Sequence, residues 1–120
     1  MIENEETAID LKKVDVKIIE FDKLLSTITD VDDRVKTLWI DVYRNATLDR
    51  MSAESLYTKL FILSHSNDNT HVECAPLITK YLERMHKSNE QLLQLADQVI
   101  AATKVETGNT AEDIYEQIGN

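Results

Sequence analysis

The sequence predicts an all-α fold, a long antiparallel helical hairpin with a coiled-coil-like seam and an acidic arm at each end. Three observations lead there. Two glycines and one proline among 120 residues leave little material for the turns of a β-sandwich or for glycine-rich phosphate loops. Apolar residues recur at spacings of three and four over long stretches, the period of a helix face. A single short run of polar residues separates two of those stretches, so the chain is expected to reverse there.

Residues 1–30 form the first arm, with 8 acidic and 4 basic residues. Leu11, Val14, Ile18, Phe21, Leu25 and Ile28 fall on one face of a helix. The competing reading is a short strand, because Val14, Val16 and Ile18 alternate with charged residues. Six helical positions against three alternating ones favour the helix. Asp30 then reads as the N-cap of a second helix starting near Val31, with Asp33 in its first turn. Val35, Leu38, Trp39, Val42, Tyr43 and Ala46, then Ala53, Leu56, Tyr57, Leu60 and Leu63, keep helical spacing to about Leu63, a rod of roughly 50 Å.

Ser64 to Thr70, Ser-His-Ser-Asn-Asp-Asn-Thr, is the predicted reversal, since short polar side chains compete for backbone hydrogen bonds. Thr70 and Glu73 have capping-box spacing, but Pro76 would kink a helix begun so early; a start between Cys74 and Pro76 is the alternative. Ile78, Leu82, Met85, Asn89, Leu92, Ala96 and Val99 then repeat as a heptad seam, with Asn89 as a polar core position that would fix register or copy number. A hairpin has little interior, so Leu38, Val42, Ile78, Leu82, Met85, Asn89, Leu92 and Val99 are expected to carry contacts between subunits. Residues 31–104 are therefore the oligomerisation core. Gly108 ends the pattern, and residues 105–120 form an acidic tail with 4 acidic residues and no basic one. Ile114, Tyr115 and Ile118 lie on one face of a short helix there. They are expected to dock on a partner, or else to pack on the chain's own surface.

The chemistry sought in the chain is mostly missing. His71-Val72-Glu73 matches half of a zinc-deaminase signature, but Cys74 is the single cysteine and precedes the single proline, so the paired thiolates have no counterpart. No metal or cofactor is expected. One cysteine makes no internal disulfide and reads as a half-buried structural residue. Asp32 and Asp33 are adjacent and diverge on a helix, which gives no acid-base pair. Trp39 and Tyr43 could stack on a nucleobase, yet the same spacing serves a core or subunit contact and is read so. No catalytic constellation remains, and the chain is expected not to be an enzyme. With a net charge of −9, loose adhesion to nucleic acid is disfavoured. One basic stripe, Lys80, Arg84 and Lys87, is offset from the seam and could follow a phosphate backbone. It needs multiplication by rotational symmetry to overcome the acidity. Met1 to Glu6 is acidic where a secretory leader is basic, and no apolar run reaches the roughly 18 residues that span a bilayer, so a soluble, non-exported protein is expected.

Several segments resemble the small terminase subunits of tailed bacteriophages, in particular the T-even-like group. They are Arg34-Val35-Lys36-Thr37-Leu38-Trp39 opening a long helix, Thr70-His71-Val72-Glu73 after the polar turn, and Asn89-Glu90-Gln91-Leu92-Leu93-Gln94-Leu95. The acidic stretch from Ala111 to Gly119 is similar to that family's C-terminal segment. Thr70-His71 replaces the family's Pro-Arg, and Pro76 is an addition. The resemblance implies a ring-shaped homo-oligomer on a central helical hairpin, acting in viral genome packaging in the host cytoplasm. It also implies that the chain binds phage DNA and regulates the ATPase and nuclease of the large terminase subunit, with no catalytic site of its own. Residues 1–30 are too short for the helix-turn-helix domain that some members carry.

Overall fold

The structure, a computed structural model, describes residues 10–66, 68–103 and 110–119. The first nine residues and Gly108, expected to end the ordered pattern, lie outside them. Four helices and no strand occur among the described residues: α1 (Leu11–Ser26), α2 (Asp33–Ser64), α3 (Asp68–Ala102) and α4 (Ala111–Gly119). The molecule measures 58 × 27 × 24 Å, because α2 and α3, of 32 and 35 residues, set its long axis.

The helical reading of the first apolar stretch holds. Asp10 caps α1 by accepting from the Lys13 amide at 3.1 Å. Val14, Phe21 and Leu25 turn inward, and Ile28, just past the helix end, is buried with them. Leu11 instead remains exposed. The cap of α2 is Asp32, not Asp30: its carboxylate accepts from the Arg34 amide at 2.8 Å and pairs with the Arg34 guanidinium at 2.9 Å. The shift follows from packing, since Val31 lies against the core and the Lys36 ammonium donates to the Ile28 carbonyl. Residues 28–31 are thereby held outside the helix.

At the far end of α2 the polar run does what its composition suggests. The Ser64 hydroxyl donates to the Phe61 carbonyl at 2.8 Å and the Ser66 hydroxyl to Leu63 at 2.7 Å, occupying carbonyls that a helix end leaves open. The break is shorter than the sequence suggests, and α3 resumes at Asp68. Pro76 therefore lies inside the helix rather than in its first turn. Its missing N–H costs one backbone bond, but Val72 and Pro76 are exposed, so water can serve the freed carbonyl.

Contacts between α2 and α3 extend along the pair to His65 and His71. Trp39 Nε1 donates to Gln98 Oε1 at 3.1 Å, Arg50 meets Asn89 at 3.4 Å, and the rings of His65 and His71 lie 6.4 Å apart. Along α2 the buried and half-buried positions that fall on one line are Trp39, Tyr43, Ala46, Arg50, Ala53, Tyr57, Leu60 and Ser64, with Thr47 buried beside it. Along α3 they are Cys74, Ile78, Tyr81, Met85, Ser88, Leu92, Leu95 and Val99, with Ala96 beside them. The expected line through Leu82 and Asn89 is thus corrected by one residue at alternate steps. Ile78, Met85, Leu92 and Val99 recur every seventh residue and fit either course. Burial of Ser88 and Leu95 leaves Asn89 exposed, which avoids the cost of desolvating an amide.

One end of the α2–α3 pair is enclosed by α1 and α4. Phe21, Leu25 and Ile28 meet Tyr43, Leu92, Ala96, Val99, Ile114 and Ile118 in a single core, with the rings of Phe21 and Tyr43 4.6 Å apart. Thr110 and Asp113 cap α4 reciprocally, each side chain accepting from the other's amide at 3.1–3.2 Å. Ile114 and Ile118 are only 0% and 1% exposed. The described part of the tail is therefore a fourth wall of this core, and two of its three expected docking side chains are occupied by the chain itself.

Candidate functional site

Lys80, Arg84 and Lys87 share a shallow groove of about 480 Å³ that runs along α3 and is bordered by α2. Their i, i+4, i+7 spacing sets them along one stripe, and all three are exposed. Each ammonium can meet a phosphate oxygen, and the planar guanidinium of Arg84 can grip two. Two carboxylates enter the same groove, Glu83 from α3 and Asp49 from α2. They leave a local balance of one positive charge. Sequence spacing alone missed Asp49, because a residue more than thirty positions away arrives only through the packing of α2 on α3.

One lysine of α1 is engaged locally. Lys17 shares a groove of about 370 Å³ with Glu20 of α1 and with Asp113 and Glu116 of α4. Burial, then the positive charges of Arg50 and Lys13, hold its ammonium below the usual lysine pKa. The acidic side of α4 thus faces a cation of its own chain.

Arg50 is a residue that sequence reasoning passed over. It occupies a half-buried position on α2 where its neighbours along the line are apolar or small. Its guanidinium donates to Asn89 Oδ1 and to the Gly119 carbonyl, both at 3.4 Å, and so places positive charge at the C-terminal end of the α4 dipole. Tyr43 donates its hydroxyl to the Gln117 carbonyl at 3.2 Å. Burial raises its pKa above the ordinary tyrosine value, against the smaller lowering from that hydrogen bond and Arg50.

The residues expected to join subunits are dispersed. Leu92 and Val99 belong to the core, Ile78 and Met85 are half-buried between α2 and α3, and Asn89 is exposed. Leu38, 60% exposed, and half-buried Val42 line a groove with Asn45, Gln91 and Gln94. Leu82 is 46% exposed. Tyr115, the outer member of the tail trio, donates to Asp97 at 3.0 Å.

Trp39 and Tyr43 are buried, with the indole N–H bonded to Gln98 and the phenol ring on Phe21; neither presents a face to a nucleobase. Cys74 is buried, and His86 pairs with Glu90 at 3.0 Å on the surface. Among the described residues no group of three His, Cys, Asp or Glu side chains converges to hold a metal ion, and no helix is long and apolar enough to cross a membrane. No protein-family model, curated protein or solved structure matches the chain.

Proposed function

We propose that the chain is a small terminase subunit, a non-catalytic component of viral genome packaging in the host cytoplasm. In this reading α2 and α3 form an antiparallel hairpin with a coiled-coil-like seam, and copies of it assemble into a ring. The ring binds phage DNA weakly, through Lys80, Arg84 and Lys87 repeated around its axis, and regulates the ATPase and nuclease of the large terminase subunit. The observation that carries the reading is the long α2–α3 arm, whose half away from α1 and α4 leaves large apolar side chains uncovered. Such an arm gains a dry interior only by meeting other protein. The packaging role itself comes from the resemblance between Arg34 and Gly119.

Native mass spectrometry tests the assembly, and DNA retention at graded salt tests the groove. A closed ring of many copies is expected. Its DNA affinity should fall steeply with salt and vanish when Lys80, Arg84 and Lys87 are all changed to Gln. Stimulation of the large subunit's ATPase by the same preparation completes the test; a monomer or dimer without such stimulation refutes the proposal. A helical adaptor with no DNA role is the second reading. Asp49 and Glu83 inside the basic groove favour it, and an unaltered chain that retains no DNA even at low salt would count for it.

A further inference from the structure

Residues 31–104 are close to neutral, and the acidity of the chain sits in residues 1–30 and 105–120, each with a charge of −4. Between Leu56 and Leu82, Asp68 and Glu73 balance Lys59 and Lys80, so this segment is neutral while the whole chain carries −9. Seven of the fourteen exposed large apolar side chains among the described residues lie between Leu56 and Leu82. Leu56, Phe61, Ile62, Leu63, Val72, Leu77 and Leu82 are each 42–71% exposed.

These side chains do not form one patch. Successive residues of a helix turn by about 100°, and the cross-helix bonds fix the direction from which to count. α1 and α4 cover one flank of the α2–α3 pair, where Tyr43, Arg50 and Asp97 meet Gln117, Gly119 and Tyr115. The helical period carries Phe61 and Leu82 onto this same flank, farther along the arm. There Phe61 continues a row of rings from Tyr57, at 5.8 Å, to His65, at 4.5 Å. The period sets Leu56, Leu63 and Leu77 on the opposite flank, and Ile62 and Val72 on the outer edges.

From this arrangement we infer that the neutral end of the arm is a head-to-tail contact between copies of the chain, Leu56, Leu63 and Leu77 of one packing on Phe61 and Leu82 of the next. The inference rests on the assembly proposed above and names its surface. A second copy is the occupant because two chains of charge −9 repel each other, least of all where the local charge is zero. Two unlike patches on opposite flanks favour a heterologous contact, in which every copy uses both, over a two-fold contact that uses one patch twice. Side-by-side repetition of such a contact closes a ring or grows a filament.

The test uses two double variants of the full chain, Leu63→Lys with Leu77→Lys and Phe61→Lys with Leu82→Lys. All four positions are about half exposed, so the helix content read by circular dichroism should match the unaltered chain. Leu63→Met with Leu77→Met, which keeps the patch apolar, should assemble normally. Each lysine variant alone should sediment as a monomer, and an equal mixture of the two should yield one-to-one pairs, because each supplies the patch that the other lacks. Lysine variants that assemble like the unaltered chain overturn this surface while leaving the assembly proposal standing. A mixture that stays monomeric overturns the head-to-tail pairing. An unaltered chain that is itself monomeric overturns both.

Discussion

Ile114 of α4 is the side chain whose truncation best tests whether the tail belongs to the core. It is fully buried, enclosed by the core that Phe21, Tyr43, Ala96 and Val99 share. Replacing it by alanine removes three carbons and leaves a cavity between α1, α3 and α4, which typically costs about 2–5 kcal/mol. The expected loss is about 3 kcal/mol, a sizeable part of the roughly 5–15 kcal/mol that holds a domain together. Tyr115→Ala is the internal control, because that ring is 46% exposed and its hydroxyl bonds only to an exposed Asp97; it should cost about 1 kcal/mol or less. Urea unfolding followed by circular dichroism, at one fixed protein concentration because assembly adds to apparent stability, reads both. A change in midpoint with an unchanged slope is the expected form. A loss under about 0.5 kcal/mol for Ile114→Ala, the size of an ordinary surface change, would refute the placement of α4 and return the tail to the role of a docking segment.

Two further outcomes follow from single side chains. Thr47 is 1% exposed and its hydroxyl is the buried side-chain polar atom that finds no partner among the described residues, so Thr47→Val, of nearly equal shape, should stabilise the chain by about 1 kcal/mol in the same urea assay. Tyr43 has its pKa raised above 10.0, by burial first; a group held protonated by folding contributes its stability fully below pH 10.0 and loses it as the pH rises through the higher folded value. Stability should therefore decline above pH 10.0 in the unaltered chain and decline less in Tyr43→Phe, measured as the difference between the two at each pH; parallel curves would show that Tyr43 has no such effect.

Much of the architecture is legible in the residues themselves. The period of Leu11 to Ile28 gives α1, and the unbroken spacing from Val35 to Leu63 gives the length of α2. The polar run after Leu63 gives the turn. What the residues leave open is decided by partners distant in sequence. Leu82 and Tyr81 are equally fit to follow Ile78, and only the meeting with α2 selects Tyr81. Pro76 argues for a late start to α3, but the burial of Cys74 and the approach of the His71 ring to His65 accompany the earlier start, against one missing hydrogen bond. Ile114 and Ile118 look the same in sequence whether they await a partner or fill their own core. The candidate groove shows the same division: Lys80, Arg84 and Lys87 are read directly from their spacing, whereas Asp49 and the half-buried Arg50 enter through the packing of α2.

The position of Trp39 has a practical consequence for following the molecule in solution. It is the single tryptophan of the chain, and it lies in the enclosed half, its indole bonded across to Gln98. Its emission therefore reports the half bounded by α1 and α4 and is blind to the neutral end of the arm, whose aromatic side chains are tyrosine, phenylalanine and histidine. In a separated copy, that end buries little beyond the small side chains of Ala53, Ser64 and Cys74. Its amides should exchange with solvent deuterium faster than those around Val99. On dilution or gentle heating, the helical signal should fade before the tryptophan band shifts, so the two optical probes divide one rod into two thermodynamic units.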